Sequence, residues 1–129
     1  MRAIICGGRD FCKTLEGVNL VRQWLYGNRP ELVIVGGDDS TYTSGVDATV
    51  YSWCRDWGWP CAVVPAWWRA HGNGAGPYRN SLMLKLGADT CVAFPGGHGT
   101  ADMVRRARKA GLTIIEVAMT TVQAGGERV

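Results

Sequence analysis

The chain has 129 residues and a formal net charge of +3, and its length is near the commonest size of a single domain. Hydrophobic residues make up 47% and charged residues 19%, a balance that excludes a disordered or highly charged tail protein. Apolar runs such as Leu32–Val35 fall far short of the roughly 20 residues that a membrane span needs. No signal peptide is visible, so we expect a soluble cytoplasmic protein with no membrane partner.

Five short apolar runs, rich in strand-forming residues, are typical of strands buried on both faces of a sheet. They are Arg2–Cys6, Leu32–Val35, Cys61–Val64, Thr90–Phe94 and Thr113–Val117. Segments with helical spacing lie between them, and the clearest helix begins near Thr100 and ends at Gly111. This alternation predicts a Rossmann-like three-layer α/β/α fold with a five-stranded parallel sheet in the order 3-2-1-4-5. The domain is expected to span residues 1–117, with residues 118–129 as a C-terminal tail.

The five cysteines are dispersed, and no two form the CxxC pair of a zinc or redox site. Cys6, Cys61 and Cys91 lie inside apolar runs, where cysteine behaves as a small hydrophobic residue. We therefore expect reduced core thiols, no metal site and no bound cofactor.

Glycine clusters follow the first, second and fourth runs, where ligands bind in sheets of this kind. The fourth cluster opens onto the clearest helix, whose free N–H groups form an anion site that Thr100 can cap or complete. The predicted ligand contacts in these clusters are Gly7, Gly8, Arg9, Gly36, Gly37, Pro95, Gly96, Gly97, His98, Gly99 and Thr100.

A glycine-rich stretch follows the third run and leads into a helix that is predicted to begin near Pro77. Arg79 would then lie in the first turn of that helix, where a cation opposes the helix dipole. Such an unfavourable position points to a charge on the ligand, although a surface salt bridge would also explain it. His71 is either a ligand contact or a loop residue that forms a hydrogen bond.

These motifs resemble the YspA-type, YpsA-related SLOG family over residues 2 to about 117. The resemblance is carried by four groups of residues: Gly7–Phe11; Gly36–Gly37 with Gly45–Asp47; Trp68, His71–Gly72, Ala75–Pro77, Arg79–Asn80 and Met83; and Phe94–Met103. It implies a bacterial or phage domain that binds a nucleotide or nucleotide-derived small molecule, and it adds Asp47 and Asn80 to the expected ligand contacts. The polar segment 38–44 is longer than the usual link in this family and is a candidate lid.

The wider superfamily includes the Lonely Guy phosphoribohydrolases, which release cytokinin bases from nucleoside monophosphates and carry RKxxM and PGGxGTxxE elements. Arg79 and Met83 match the first element, but Met103 stands where the second has its catalytic glutamate. Asp102 lies one residue earlier, about 100° away around the helix. The resemblance therefore makes Arg79 and Asp102 candidate catalytic residues, with Asp102 displaced from the family position.

Three functions remain open at this point: nucleotide binding for sensing or sequestration, N-glycosidic hydrolysis of a nucleoside monophosphate, and single-stranded nucleic-acid binding as in DprA. Eleven arginines and six tryptophans favour the third, because aromatic rings stack on bases and cations follow the backbone. Packing in the core or between subunits explains Trp53, Trp57 and Trp59 equally well. The residues present account for binding better than for catalysis, so we predict a nucleotide-binding module that forms at least a homodimer.

Overall fold

The computed structural model describes residues 1–38, 45–66 and 71–119. Residues 39–44 of the candidate lid lie outside the described residues, and so do residues 120–129 of the predicted tail. Within the described ranges, no helix has the length and apolar character needed to cross a bilayer.

Five parallel strands form one sheet in the order β3-β2-β1-β4-β5, which confirms the predicted fold and strand order. The strands are β1 (Arg2–Cys6), β2 (Leu32–Asp38), β3 (Cys61–Ala66), β4 (Thr90–Ala93) and β5 (Thr113–Glu116). The second strand continues past its predicted end at Val35, because Gly36 and Gly37 pair in register with Val64 and Pro65 of β3. The glycines that were predicted to form a loop therefore belong to the sheet.

The described helices flank this sheet on both faces. They are α1 (Leu15–Asn28), α2 (Val46–Trp57), α3 (Ala75–Met83) and α4 (His98–Lys109). The first two pack on one face through buried residues such as Leu25 and Val50, and the other two pack on the opposite face through Met83 and Met103. The chain steps in one direction from β1 to β3 and then returns past β1 to β4, so right-handed crossovers place the two helix pairs on opposite faces.

Two helices begin earlier than the sequence predicts, and this changes the position of two site residues. The third helix begins at Ala75 rather than near Pro77, so Arg79 lies in its second turn. The fourth begins at His98, so Thr100 lies inside the helix and Gly97 occupies the N-cap position. The predicted capping role of Thr100 and the dipole argument for Arg79 are therefore wrong.

Candidate functional site

A cavity of about 870 Å³ opens beyond the carboxyl ends of the strands. Its lining comes from the ends of β1 and β2, the loop after β1, the first turn of α2, helix α3 and the amino end of α4. The strand order reverses between β1 and β4, and ligands of open α/β sheets bind at such a switch point. Its volume also falls within the roughly 300–1,000 Å³ that is usual for small-molecule sites.

Most of the predicted site residues line this cavity. They are Gly7, Gly8, Arg9, Gly36, Asp47, Arg79, Asn80, Gly97, His98, Gly99, Thr100 and Asp102. These residues come from five separate segments of the chain, and the fold brings them to one location.

The other predicted residues lie behind or away from this lining. The carbonyl of Gly37 accepts a hydrogen bond from Arg79 Nη1 at 3.0 Å, and that of Pro95 accepts one from Gly8 N at 2.9 Å. His71 lies in a smaller hollow of about 280 Å³, with its ring centroid 4.7 Å from that of Tyr78.

Two glycines allow the cavity wall to close tightly. A Cβ atom at Gly36 would lie 2.7 Å from Arg79 Cζ, so the guanidinium can cross β2 only because this side chain is absent. A Cβ atom at Gly96 would lie 2.7 Å from Gly8 N and 2.9 Å from Thr100 Cβ. The absence of a side chain at Gly96 thus lets the loop after β4 pack closely against the loop after β1 and the start of α4.

The amino end of α4 presents backbone donors to the cavity. The first intrahelical hydrogen bond runs from Ala101 N to Gly97 O at 3.1 Å, so the amides of His98, Gly99 and Thr100 precede the helical ladder. These three residues line the cavity, and Gly97 brings no side chain that could cap them. The partial positive charge of a helix start favours an anion there.

Arg79 and Asn80 begin a hydrogen-bonded chain along the cavity wall. Arg79 Nε donates to Asn80 Oδ1 at 2.9 Å, and Asn80 Nδ2 donates to Gly99 O at 3.2 Å and to Asp102 Oδ2 at 3.0 Å. Asn80 is only 4% exposed, and its amide links α3 to α4. With the bond from Arg79 to Gly37, the chain also reaches β2.

Asp102 ends this chain in a cluster of cations. Arg106 Nε donates to Oδ2 at 2.8 Å, and Arg105 donates to Oδ1. Burial by itself would raise the pKa of Asp102, but the hydrogen bond from Asn80 and the nearby Arg106 together hold that pKa below its usual value. The carboxylate is therefore ionised at neutral pH, and both of its oxygens already accept hydrogen bonds.

Met103, which matches the catalytic glutamate of the Lonely Guy element in the sequence, does not line the cavity. Met103 is 1% exposed and packs in the core between α4 and the sheet, whereas Asp102 lines the cavity. The offset of about 100° between consecutive helical residues thus places Asp102, and not Met103, on the side of α4 that faces the cavity.

Several lining residues were not predicted as site residues: Cys6, Asn73, Gly76, Pro77, Met83, Ala101 and Arg105. Helical spacing from His98 gives Ala101, Asp102 and Arg105 one shared face, and this signal would have found Ala101 and Arg105. Cys6 was interpreted as a core thiol from its apolar run. A hydrogen bond with Cys91 and burial raise the pKa of the Cys6 thiol, so it is protonated and a poor nucleophile. Among the described residues, no cluster of three or more His, Cys, Asp or Glu side chains could hold a metal ion.

A second surface lies at the carboxyl ends of α1 and α2. We call it the aromatic–arginine surface, and it consists of Arg22, Tyr26, Arg29, Trp53, Trp57 and Trp59. The ring centroid of Trp57 lies 4.7 Å from that of Tyr26, 5.6 Å from that of Trp53 and 4.9 Å from that of Trp59. Crossover helices run antiparallel to the strands, so their carboxyl ends lie near the amino ends of the strands. The aromatic–arginine surface is therefore at the end of the sheet opposite the cavity.

The fold and the cavity define the chain as a Rossmann-like α/β protein with a cavity at its topological switch point. No family model matches the chain. The chain is similar to the "Gene 61 protein" of Mycobacterium phage D29, with 48% identity over 50 residues that cover 37% of this chain and 40% of that protein. The match thus spans less than half of the phage protein. The phage source of this relative is compatible with the predicted phage or bacterial origin.

Proposed function

We propose that the cavity binds a nucleotide or a nucleotide-derived ligand, and that the protein senses or sequesters a nucleotide signal. One observation carries this proposal: the Arg79 guanidinium and the first amides of α4 line the same cavity. Arginine and a helix start both favour phosphate, the first through its planar fork of donors and the second through its free N–H groups. Asp47, which also lines the cavity, would accept hydrogen bonds from ribose hydroxyls or base amino groups.

The free energy of such binding is within reach of these groups. Micromolar affinity needs about 8.2 kcal/mol. Each hydrogen bond to a charged phosphate contributes about 1.5–3 kcal/mol. A few such bonds from Arg79 and the α4 amides would therefore supply much of the binding free energy.

Calorimetric titration tests the proposal directly. AMP, GMP, CMP and UMP are titrated into the protein beside the four corresponding nucleosides. Because the proposed anchor is the phosphate, we expect at least one monophosphate to bind at least tenfold more tightly than its nucleoside. The proposal fails if no nucleotide binds, or if the nucleosides bind equally well.

Replacement of Arg79 by Ala is expected to weaken the affinity for that monophosphate at least tenfold, or about 1.4 kcal/mol. Gly36→Ala is a companion variant that keeps the positive charge of Arg79 but displaces its guanidinium, because the new Cβ atom would lie 2.7 Å from Arg79 Cζ. We expect it to weaken the affinity as well. Arg55→Ala is the control, since Arg55 is an exposed arginine near the far end of α2. Unchanged affinity in Arg79→Ala would contradict the assigned phosphate position.

Hydrolysis of the N-glycosidic bond is the second candidate, and the presence of Asp102 in the cavity lining favours it. A catalytic carboxylate must exchange a proton with water or the leaving base, however, and Asp102 is already bound by Asn80, Arg105 and Arg106. We therefore expect little or no free base after incubation with AMP, GMP, CMP or UMP, measured by chromatography. Turnover that is lost in Asp102→Asn and retained in Met103→Ala would establish the hydrolase instead.

We also infer that two copies associate through the aromatic–arginine surface. Tryptophan, tyrosine and arginine are the residues that protein interfaces favour most, and Tyr26 is 45% exposed there. Sedimentation velocity is expected to show a dimer that Tyr26→Glu dissociates. A monomeric parent protein would contradict this inference.

A further inference from the structure

We propose that Asn80 is a positioning residue, whose amide fixes the Arg79 guanidinium in the orientation that meets the ligand. The sequence predicted Asn80 as a direct ligand contact. In the structure both ends of its side-chain amide are already bonded to protein atoms. Its consequence for binding rests on the proposed nucleotide function, whereas its effect on Arg79 does not.

The orientation of the Asn80 amide follows from its neighbours. Arg79 Nε carries a hydrogen and can only donate, so the atom 2.9 Å away must be the amide oxygen. The other neighbours are the Gly99 carbonyl and the ionised Asp102, which can only accept, so the amide nitrogen must face them. A flipped amide would face a donor with its nitrogen and two acceptors with its oxygen.

The bonds to Asn80 and Gly37 constrain the Arg79 side chain at two points. Nε donates to Asn80 and Nη1 donates to the Gly37 carbonyl, which together fix the plane of the guanidinium. These bonds use two of the five N–H donors of arginine, and the other three are those that a ligand in the cavity would meet. A ligand therefore meets an arginine that is already ordered, and the entropy cost of ordering it on binding is reduced.

The same amide connects Arg79 to the anion-binding end of α4. Through Gly99 O and Asp102 it bonds to the first two turns of that helix, whose amides line the cavity. Since Asn80 is 4% exposed, water competes little for these bonds. One buried side chain thus sets the arginine and the helix start relative to each other.

Nuclear magnetic resonance of the arginine Nε–H groups tests this role without any ligand. The Arg79 signal is identified as the one missing from Arg79→Lys. Asn80→Ala is expected to abolish or broaden that signal, because its acceptor is removed. Asn80→Asp keeps an acceptor for Arg79 Nε but sets its second oxygen against the Gly99 carbonyl and Asp102, so the Arg79 signal is expected to shift and to weaken. Ser81→Ala is the control on the same helix, since the Ser81 hydroxyl donates to the Tyr78 carbonyl at 2.6 Å and, among the described residues, is not part of the cavity lining.

A double-mutant cycle with the tightest-binding monophosphate tests the consequence for binding. Asn80→Ala is expected to weaken affinity about tenfold in the parent protein and less than twofold in Arg79→Ala, because its effect passes through Arg79. An equal loss in both backgrounds would make Asn80 a direct contact and overturn the proposal. So would an Arg79 signal that is unchanged in either Asn80 variant. If the parent protein binds no nucleotide, the proposed function fails, and the resonance experiment still decides the role of Asn80.

Discussion

Arginine side chains have different partners at the two ends of the sheet, the carboxyl ends of the strands and their amino ends. Arg79 in the cavity wall and Arg106 behind it donate hydrogen bonds to oxygen atoms at 2.8–3.0 Å. In the aromatic–arginine surface, Arg22 lies over the Trp53 ring with its Cζ 5.1 Å from the ring centroid, and Arg29 lies 5.9 Å from the centroids of Tyr26 and Trp59. The first arrangement depends on hydrogen bonds to amide, carbonyl and carboxylate oxygens, and the second depends on contact with the faces of aromatic rings.

Because of this difference, we expect the interactions in the two regions to depend differently on pH. The hydrogen-bonded chain of the cavity wall ends at the ionised Asp102, so we expect it to respond to pH and to a competing anion. The aromatic–arginine surface holds its cations over rings, whose faces attract them without a titratable acid. Stability changes at the two regions should therefore differ in size and in pH dependence.

The largest expected effect is that of Trp57→Ala, at the centre of the aromatic cluster. Trp57 contacts three aromatic rings and is partly buried against the core of α1 and α2. We expect the free energy of unfolding to fall by about 3 kcal/mol, the lower end of the range for large aromatic residues, because Trp57 is not fully buried. Urea unfolding at pH 7 and pH 3 measures this loss.

The loss in Trp57→Ala should be the same at both pH values, since no carboxylate contributes to the ring contacts. Nucleotide affinity should also stay within twofold of the parent protein, because the cavity lies at the other end of the sheet. A tenfold loss of affinity in this variant would break the separation between the two regions.

The fold was predictable from the sequence because buried parallel strands leave a strong and local signal. Each of the five apolar runs became a strand, and the observed order is the simplest of the few topologies that right-handed crossovers leave. The boundaries were less predictable near glycine. Gly36 and Gly37 extend β2 because β3 pairs with them, and such tertiary pairing leaves no local trace.

The cavity lining was predictable at the glycine clusters, since their positions after the strands were known. The bonds within its wall were not. Asn80 and Asp102 lie on different helices, 22 positions apart in the chain, and only the packing of α3 on α4 brings them together. Asp102 lines the cavity and Met103 does not, because the face of α4 that carries Met103 packs in the core.

Asp102→Asn sharpens the comparison through its pH dependence. At pH 7 we expect the free energy of unfolding to fall by about 2 kcal/mol, because charge-assisted hydrogen bonds from Asn80, Arg105 and Arg106 are weakened. The pKa of Asp102 is lowered in the folded state, so its contribution is present above the unfolded pKa of about 3.9 and is lost as pH falls through the folded pKa.

Urea unfolding of the parent protein and Asp102→Asn at pH 7 and pH 3 tests this expectation. The difference in free energy between the two proteins should shrink at pH 3, where protonation of Asp102 begins to remove the same charge. A difference that stays constant would mean that Asp102 acts only by packing.

The smallest expected effect is that of Arg22→Gln in the aromatic–arginine surface. Arg22 is exposed, and a cation over an aromatic ring at such a site contributes about 0.5–1 kcal/mol. Lys109→Gln, at the carboxyl end of α4, is the matched control for the loss of one exposed positive charge. We expect Arg22→Gln to lower the free energy of unfolding by about 0.5 kcal/mol more than the control does, by the same amount at pH 7 and pH 3. An effect that vanishes at pH 3 would show that Arg22 is held by a carboxylate, and the contrast between the two arginine environments would then be wrong.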